Sequence, residues 1–249
     1  MDERFMREAL ALAGAGLGRV WPNPSVGCVI VKDGNVIGRG ATQPGGRPHA
    51  EVVALADAGP AAAGATAYVS LEPCAHFGKT PPCAGALVEA GIARCIVALL
   101  DPDPRVDGKG IERLEKAGIE VEVGLCASDA TEMNEGFFLR VRAGRPLVTV
   151  ADPADLAEAA ERHDALLEGT PEGVWAEVRG TGPTRLRWWV GGPVPFGERA
   201  WRSLECTTGA REPAAVLGCL GAQGLTRVAV SSADPFAEAL KRAGLVDRS

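Results

Sequence analysis

The stretch from His49 to Cys83 decides how this chain is read: His49-Ala50-Glu51-Val52 opens it, Leu71-Glu72-Pro73-Cys74 follows, and Pro81-Pro82-Cys83 closes it. One imidazole and two thiolates are three of the four donors that a tetrahedral zinc ion accepts, whereas a structural site takes all four from protein. The open fourth position is a place for chemistry. Glu51, two residues from His49, is a spare carboxylate able to take a proton from an activated water and hand it to a departing amine. His49, Cys74 and Cys83 are therefore the candidate metal ligands, and Glu51 the candidate acid/base. The plain alternative is a structural zinc site, and the lack of an evident fourth protein ligand argues against it.

Working outward, His49 to Ala58 has the pattern of a helix with His49 and Glu51 in its first turn. Thr66 to Leu71 then reads as a strand leading to Pro73-Cys74, and a further helix is expected from Cys83 to about Ala90. Upstream, Phe5, Ala9, Leu12 and Ala13 share one helical face until Gly14, Gly16 and Gly18 break it. Cys28–Val31 and Val36–Gly40, joined by Lys32-Asp33-Gly34-Asn35, read as a β-hairpin. Downstream come a strand over Ile92–Leu100, the loop Asp101-Pro-Asp-Pro-Arg-Val-Asp-Gly108, a helix over Gly110–Ala117 and a strand over Ile119–Val123. Strands alternating with helices predict an α/β fold whose sheet is mainly parallel and covered on both faces, with ligands carried at helix N-termini beside strand ends.

The 249 residues are 46% hydrophobic, ample for a packed core in one large or two modest domains. A net charge of −6 argues against general nucleic-acid affinity, which needs clustered Lys and Arg, but leaves room for a small anionic ligand at a local basic spot. The start Met1-Asp2-Glu3-Arg4 is unlike a signal peptide, and no long uninterrupted apolar run suggests a membrane span. Seven cysteines, an odd number, argue against a secreted disulfide framework, so a cytoplasmic location is expected. Cys28 and Cys95, in Val/Ile-rich runs, are read as buried core thiols, His163 as an exposed helical residue, and Trp188-Trp189 as core or interface.

Residues 1 to 145 resemble the deaminase domain of the bifunctional RibD family of riboflavin biosynthesis. The resemblance rests on Pro22-Asn-Pro-Ser-Val-Gly27, His49-Ala-Glu-Val52, Leu71-Glu-Pro-Cys-Ala-His-Phe-Gly-Lys-Thr-Pro-Pro-Cys83, Asp101-Pro-Asp-Pro104 and Asn134-Glu-Gly-Phe-Phe138. Eight residues separate Cys74 from Cys83, where cytidine and tRNA adenosine deaminases usually have two. The resemblance implies a three-layer α/β/α cytidine-deaminase-like domain with a mainly parallel mixed sheet. It further implies zinc-dependent deamination of 2,5-diamino-6-ribosylamino-4(3H)-pyrimidinone 5′-phosphate to the corresponding uracil, zinc on His49, Cys74 and Cys83, and Glu51 as acid/base. It also implies Asn23 on the pyrimidine, with His76, Lys79 and Thr80 on the ribose phosphate; a cation, an imidazole and a hydroxyl are suitable donors to phosphate oxygens. Thr42 stands where the family usually has His, and Asp103 where it usually has Asn, with Arg105 placed to neutralise the added charge. A dimer or tetramer is the assembly that the resemblance implies.

Residues 146–249 form a short second α/β domain that resembles the family's NADPH-dependent reductase domain only in part. Arg162-His-Asp-Ala-Leu-Leu-Glu-Gly169 and Leu240-Lys-Arg-Ala-Gly-Leu-Val-Asp247 carry the resemblance, and about half of the family domain's length is missing. Helices are expected over Ala154–Leu167 and Pro235–Ala243, and strands over Leu186–Val190 and Arg227–Ser231. Where the family has a Glu-Gly-Gly-Pro turn against the cofactor phosphates, this chain has Ser231-Ser-Ala-Asp-Pro235, and Asp234 argues against NADPH. Three readings stand at this point: a deaminase with a degenerate reductase remnant, a bifunctional deaminase and reductase, and a non-catalytic zinc-binding partner of a separate reductase.

Overall fold

The computed structural model describes residues 1–75, 81–103, 106–180, 185–191, 194, 202–204 and 212–249. The chain forms two compact units, one of Met1–Gly16 and Pro24–Asn134, the other of Leu17–Asn23 and Glu135–Ser249. No helix among the described residues is long and apolar enough to cross a membrane.

The first unit runs α1 (Asp2–Gly14), β1 (Gly27–Lys32), β2 (Asn35–Ala41), α2 (Ala50–Ala58), β3 (Thr66–Val69), α3 (Cys83–Glu89), β4 (Arg94–Val97), α4 (Lys109–Lys116) and β5 (Glu120–Val123). The helix α5 (Ala127–Ala143) follows. The strands lie in the order β2-β1-β3-β4-β5. Pairing is parallel from β3 through β4 to β5, and antiparallel where β1 meets β2 and β3. The expected hairpin is present, with Asp33 at φ 50° and Gly34 at φ 77°, the left-handed pair that a tight two-residue turn requires.

Alternation along the strands sends side chains to two covered faces. Val29, Val31, Tyr68 and Ile96 pack with Phe5, Met6, Ala9 and Leu10 of α1 and with Ala130. Successive strand residues point to opposite faces, so Cys28, Ile30 and Cys95 face the other way, and all three are fully buried. On that second face α2 lies so close to β2 that a methyl at Gly40 would collide with the Ala50 carbonyl. The α2 N-terminus, which carries His49 and Glu51, is thereby held against the sheet. Helix layers on both faces make the three-layer architecture, and they explain why β1 is buried along nearly its whole length.

The second unit contains β6 (Leu147–Ala151), α6 (Leu156–Arg162), β7 (Ala165–Gly169), β8 (Gly173–Arg179), β9 (Arg185–Gly191), β10 (Arg202–Leu204), α7 (Pro213–Ala222), β11 (Arg227–Ser231) and α8 (Pro235–Arg242). Its sheet has the order β10-β9-β8-β7-β11-β6, parallel across β7, β11 and β6 and antiparallel across β7, β8 and β9. Val148, Leu167, Val178, Trp188 and Val230 pack one face against Leu217 and Leu220 of α7 and Phe236 and Leu240 of α8.

Two expectations fail here. The helix expected over Ala154–Leu167 stops at Arg162, and Ala165–Gly169 is the strand β7. Asp164 explains the change: its buried carboxylate accepts from Thr226 N (2.6 Å), Thr226 Oγ1 (2.8 Å) and Arg227 N (2.9 Å), which clamps β7 onto the start of β11. His163, expected on an exposed helical face, is buried at the end of α6. Its Nδ1 donates to the Ala159 carbonyl (2.5 Å) and its Nε2 accepts from Thr149 Oγ1 (2.9 Å).

Burial holds the His163 imidazole down at about 4 and therefore neutral. A histidine ordinarily titrates near 6.5, so below that pH the unfolded chain binds a proton that the folded chain refuses. Stability from this residue is complete above about pH 6.5 and falls by roughly 3 kcal/mol as pH approaches 4. Among the described residues Trp21, Trp175, Trp188 and Trp189 all belong to the second unit, so tryptophan fluorescence in urea titrations reads its stability. The stability difference between neutral and acid pH should shrink in His163→Gln; an equal difference in both proteins would refute the assignment.

Candidate metal centre and active site

His49 is the N-cap of α2, with extended backbone (φ −73°, ψ 159°), and Glu51 lies one residue inside the helix. Cys74 comes from the segment that leaves β3, and Cys83 is the first residue of α3. The Cys83 backbone N–H donates to the Cys74 sulfur (3.3 Å), and the Ala84 N–H donates to the Cys74 carbonyl (3.2 Å). Two helix starts and one strand exit thus bring three donor atoms within 4.8 Å of one another.

His49 Nδ1 is 3.2 Å from Cys83 Sγ and 3.7 Å from Cys74 Sγ. Tetrahedral zinc, with its usual bonds to nitrogen and sulfur, sets those two atom types about 3.6 Å apart, so the donor set fits the ion in size and in chemistry. Among the described residues this is the one group of three or more such donors.

The electrostatics agree. Hydrogen bonds from the Cys83 side chain and the His49 ring hold the Cys74 thiol down at about 4 in spite of its burial. Cys83 is pushed up, first by its bond to Cys74 and then by burial. The two sulfurs thus share one negative charge, and a cation between them is what lets both ionise. His49 is raised by its bond to Cys74, with burial opposing. Glu51 is only 3% exposed; burial, and then the negative Cys74, push its carboxyl up to about 7. A carboxyl that exchanges its proton near neutrality suits a group that must both accept and return one.

The other candidate residues divide into two groups. His76, Lys79, Thr80 and Arg105 lie outside the described residues. Asn23 groups with the second unit, and its backbone N–H donates to the Val20 carbonyl (3.1 Å). Asp103 is buried and its N–H donates to Asp101 Oδ1 (2.9 Å). Thr42 is also buried and fastens the sheet: its hydroxyl accepts from Val26 N (3.0 Å), and its N–H donates to Val26 O (2.8 Å).

One residue at this site escaped the sequence reading. Glu72, 4% exposed and two residues before Cys74, accepts from Asp101 N (3.2 Å), Gly108 N (3.1 Å), Gly110 N (2.9 Å) and Ile111 N (3.4 Å). It straps the loop after β4 and the start of α4 to the segment that carries Cys74, and a methyl at Gly110 would collide with the Pro73 carbonyl. The available signal was a lone carboxylate between Leu71 and Pro73 in an otherwise apolar run. Glu72→Gln turns an amide N–H₂ toward backbone donors, and it should destabilise the protein by about 1.5–3 kcal/mol while weakening zinc retention against a chelator. A variant with unchanged thermal midpoint and zinc affinity would remove this role.

The chain is similar to several known proteins. A family model of the cytidine and deoxycytidylate deaminase zinc-binding region matches residues 1–99. Riboflavin biosynthesis protein RibD from Aquifex aeolicus is 51% identical over 150 residues, which is 60% of this chain but only 42% of that protein. A diaminohydroxyphosphoribosylamino-pyrimidine deaminase from Buchnera aphidicola subsp. Schizaphis graminum is 47% identical over 145 residues, 58% of this chain and 99% of that one. The solved structure of Acinetobacter baumannii RibD superimposes with a TM-score of 0.78 at 32% identity, covering 99% of this chain and 84% of that chain.

Proposed function

The chain belongs to the RibD family of riboflavin biosynthesis proteins, and from that premise we propose that residues 1–145 are a zinc-dependent hydrolytic deaminase. Its substrate is 2,5-diamino-6-ribosylamino-4(3H)-pyrimidinone 5′-phosphate, and its products are ammonia and 5-amino-6-ribosylaminouracil 5′-phosphate. The observation that carries the reading is a buried carboxylate, Glu51, set beside a three-donor His-Cys-Cys site.

Held by His49, Cys74 and Cys83, zinc supplies the Lewis acidity that makes water a nucleophile near neutral pH. Glu51 takes a proton as water adds to the ring carbon bearing the amino group. It returns that proton to the nitrogen, which leaves as ammonia, while the ring carbon keeps the oxygen. The buried setting of Glu51 excludes bulk water that would otherwise compete for this proton. In the same reading Asn23 contacts the pyrimidine, and His76, Lys79 and Thr80 grip the ribose phosphate through charge-assisted hydrogen bonds. The acting assembly is a homo-oligomer, and residues 146–249 form a second domain without a reductase step.

The test is ammonia release from the diaminopyrimidine ribotide by zinc-loaded protein, with NADPH oxidation followed in the same sample. Ammonia without NADPH consumption supports this reading. Consumption of NADPH as well would restore a bifunctional enzyme, and no ammonia would leave a zinc-binding partner protein.

A further inference from the structure

Family membership implies a nicotinamide cofactor on the second unit, and the turn between β11 and α8 is where such a fold offers a seat to phosphate. β11 lies between the parallel strands β6 and β7, and the carboxyl ends of parallel strands, beside a helix N-terminus, are the usual anion-binding position. We propose that this seat is closed by the chain itself: the Asp234 carboxylate is its resident anion, and the unit does not take up NADPH.

The accounting of donors carries the inference. An anion seat works by aiming free backbone N–H groups at the ligand. Here Ser232 N donates to the Ala151 carbonyl (2.7 Å), Ala233 N to Ser231 Oγ (3.3 Å), and Asp234 N to the Ser231 carbonyl (3.0 Å). Pro235 has no N–H. Phe236 N donates to Asp234 Oδ1 (2.7 Å), and Ala237 N to the Asp234 carbonyl (3.0 Å). Every backbone donor from Ser232 to Ala237 is thus already used within the protein.

The carboxylate also reaches across to the end of β7, where Gly169 N donates to both of its oxygens (3.2 and 3.1 Å). A side chain at Gly169 would press on Phe236 Cβ (2.6 Å) and Asp234 Oδ1 (2.8 Å), so strand end and helix start are packed around the carboxylate with no space between them. A shallow, half-open cavity of about 150 Å³ lies beside it, lined by Thr170, Val174, Phe236 and Ala239. A second carboxylate stands beside the turn, where Asp152 accepts from Ser232 Oγ (3.0 Å). An arriving phosphate would meet carboxylates and no free backbone donor in this turn.

Two measurements on the full chain decide this, and neither depends on deamination, so their failure is distinct from failure of the proposed activity. In the first, NADPH is titrated into wild-type protein by calorimetry and by tryptophan fluorescence. No saturable binding at millimolar cofactor is expected, and saturable binding would overturn the proposal. In the second, Asp234→Gly should lower the thermal midpoint by about 3–6 °C through loss of the cap and of the Gly169 bond. Inorganic phosphate, compared with chloride at equal ionic strength, should recover part of that loss, raising the variant's midpoint by more than the general salt effect it has on wild type. A variant as stable as wild type, or one that phosphate raises no more than wild type, would show that Asp234 is not standing in for an anion. Should Asp234→Gly fail to fold, Asp234→Ala empties the same seat without the added backbone freedom of glycine, and the same phosphate comparison applies; the wild-type NADPH titration stands regardless.

Discussion

Replacing Glu51 with Gln is expected to lower turnover by about 10²–10⁴-fold while zinc stays bound at one equivalent. Gln has the volume of Glu, and its amide cannot accept and return a proton, so both proton transfers lose their carrier. The metal should remain because the donors are His49 Nδ1 and the two sulfurs, with Glu51 outside the set. The carboxylate in fact opposes ionisation of Cys83, so removing its charge favours the thiolate that a metal requires. Metal content and ammonia release measured on one preparation check this. A variant that keeps more than about a tenth of wild-type turnover would show that the proton is carried by another group.

Cys74→Ala is expected to do the converse, abolishing stoichiometric zinc and turnover together and lowering the thermal midpoint of the first unit. Two donors of three are a poor site for zinc, whose affinity in structural settings contributes directly to folding. The structure adds a second loss: the Cys83 N–H, at the start of α3, donates to the Cys74 sulfur and would be left without it. Cys83→Ala should lose zinc equally, and the contrast with Glu51→Gln, inactive but zinc-loaded, separates ligand from proton carrier. Retained stoichiometric zinc in Cys74→Ala would contradict the ligand set.

Much of the first unit was legible because its signals are local. His49 precedes an apolar helical run, Cys83 opens another behind two prolines, and Asp33-Gly34 makes a turn wherever it falls between two apolar strands. The donor set assembles at the ends of such elements, so reading the ends found the three donors that the fold brings together. Glu72 was not legible, because its partners lie 29 to 39 residues away and a carboxylate bound by backbone N–H groups leaves no mark on their side chains.

In the second unit local preference misleads. Leu156 to Leu167 has helical composition throughout, yet the last part of it is β7, because pairing with Val228–Val230 and the Asp164 clamp outweigh propensities worth only tenths of a kcal/mol per residue. The same cause buried His163, which local pattern placed in solvent. For Asp234, the sequence showed only a charge unfriendly to phosphate; that it caps α8 and holds Gly169, 65 residues away, is a property of the folded chain.

By itself, the sequence picked out the His49, Cys74 and Cys83 donor group, the carboxylate two residues from His49, the hairpin and the α/β class, since short spacings and element ends carry that information. Only the tertiary structure decided where the long-range carboxylates Glu72, Asp164 and Asp234 find their backbone donors. A buried charge must satisfy its hydrogen bonds wherever folding brings donors to it, and their distance along the chain is written in no local pattern.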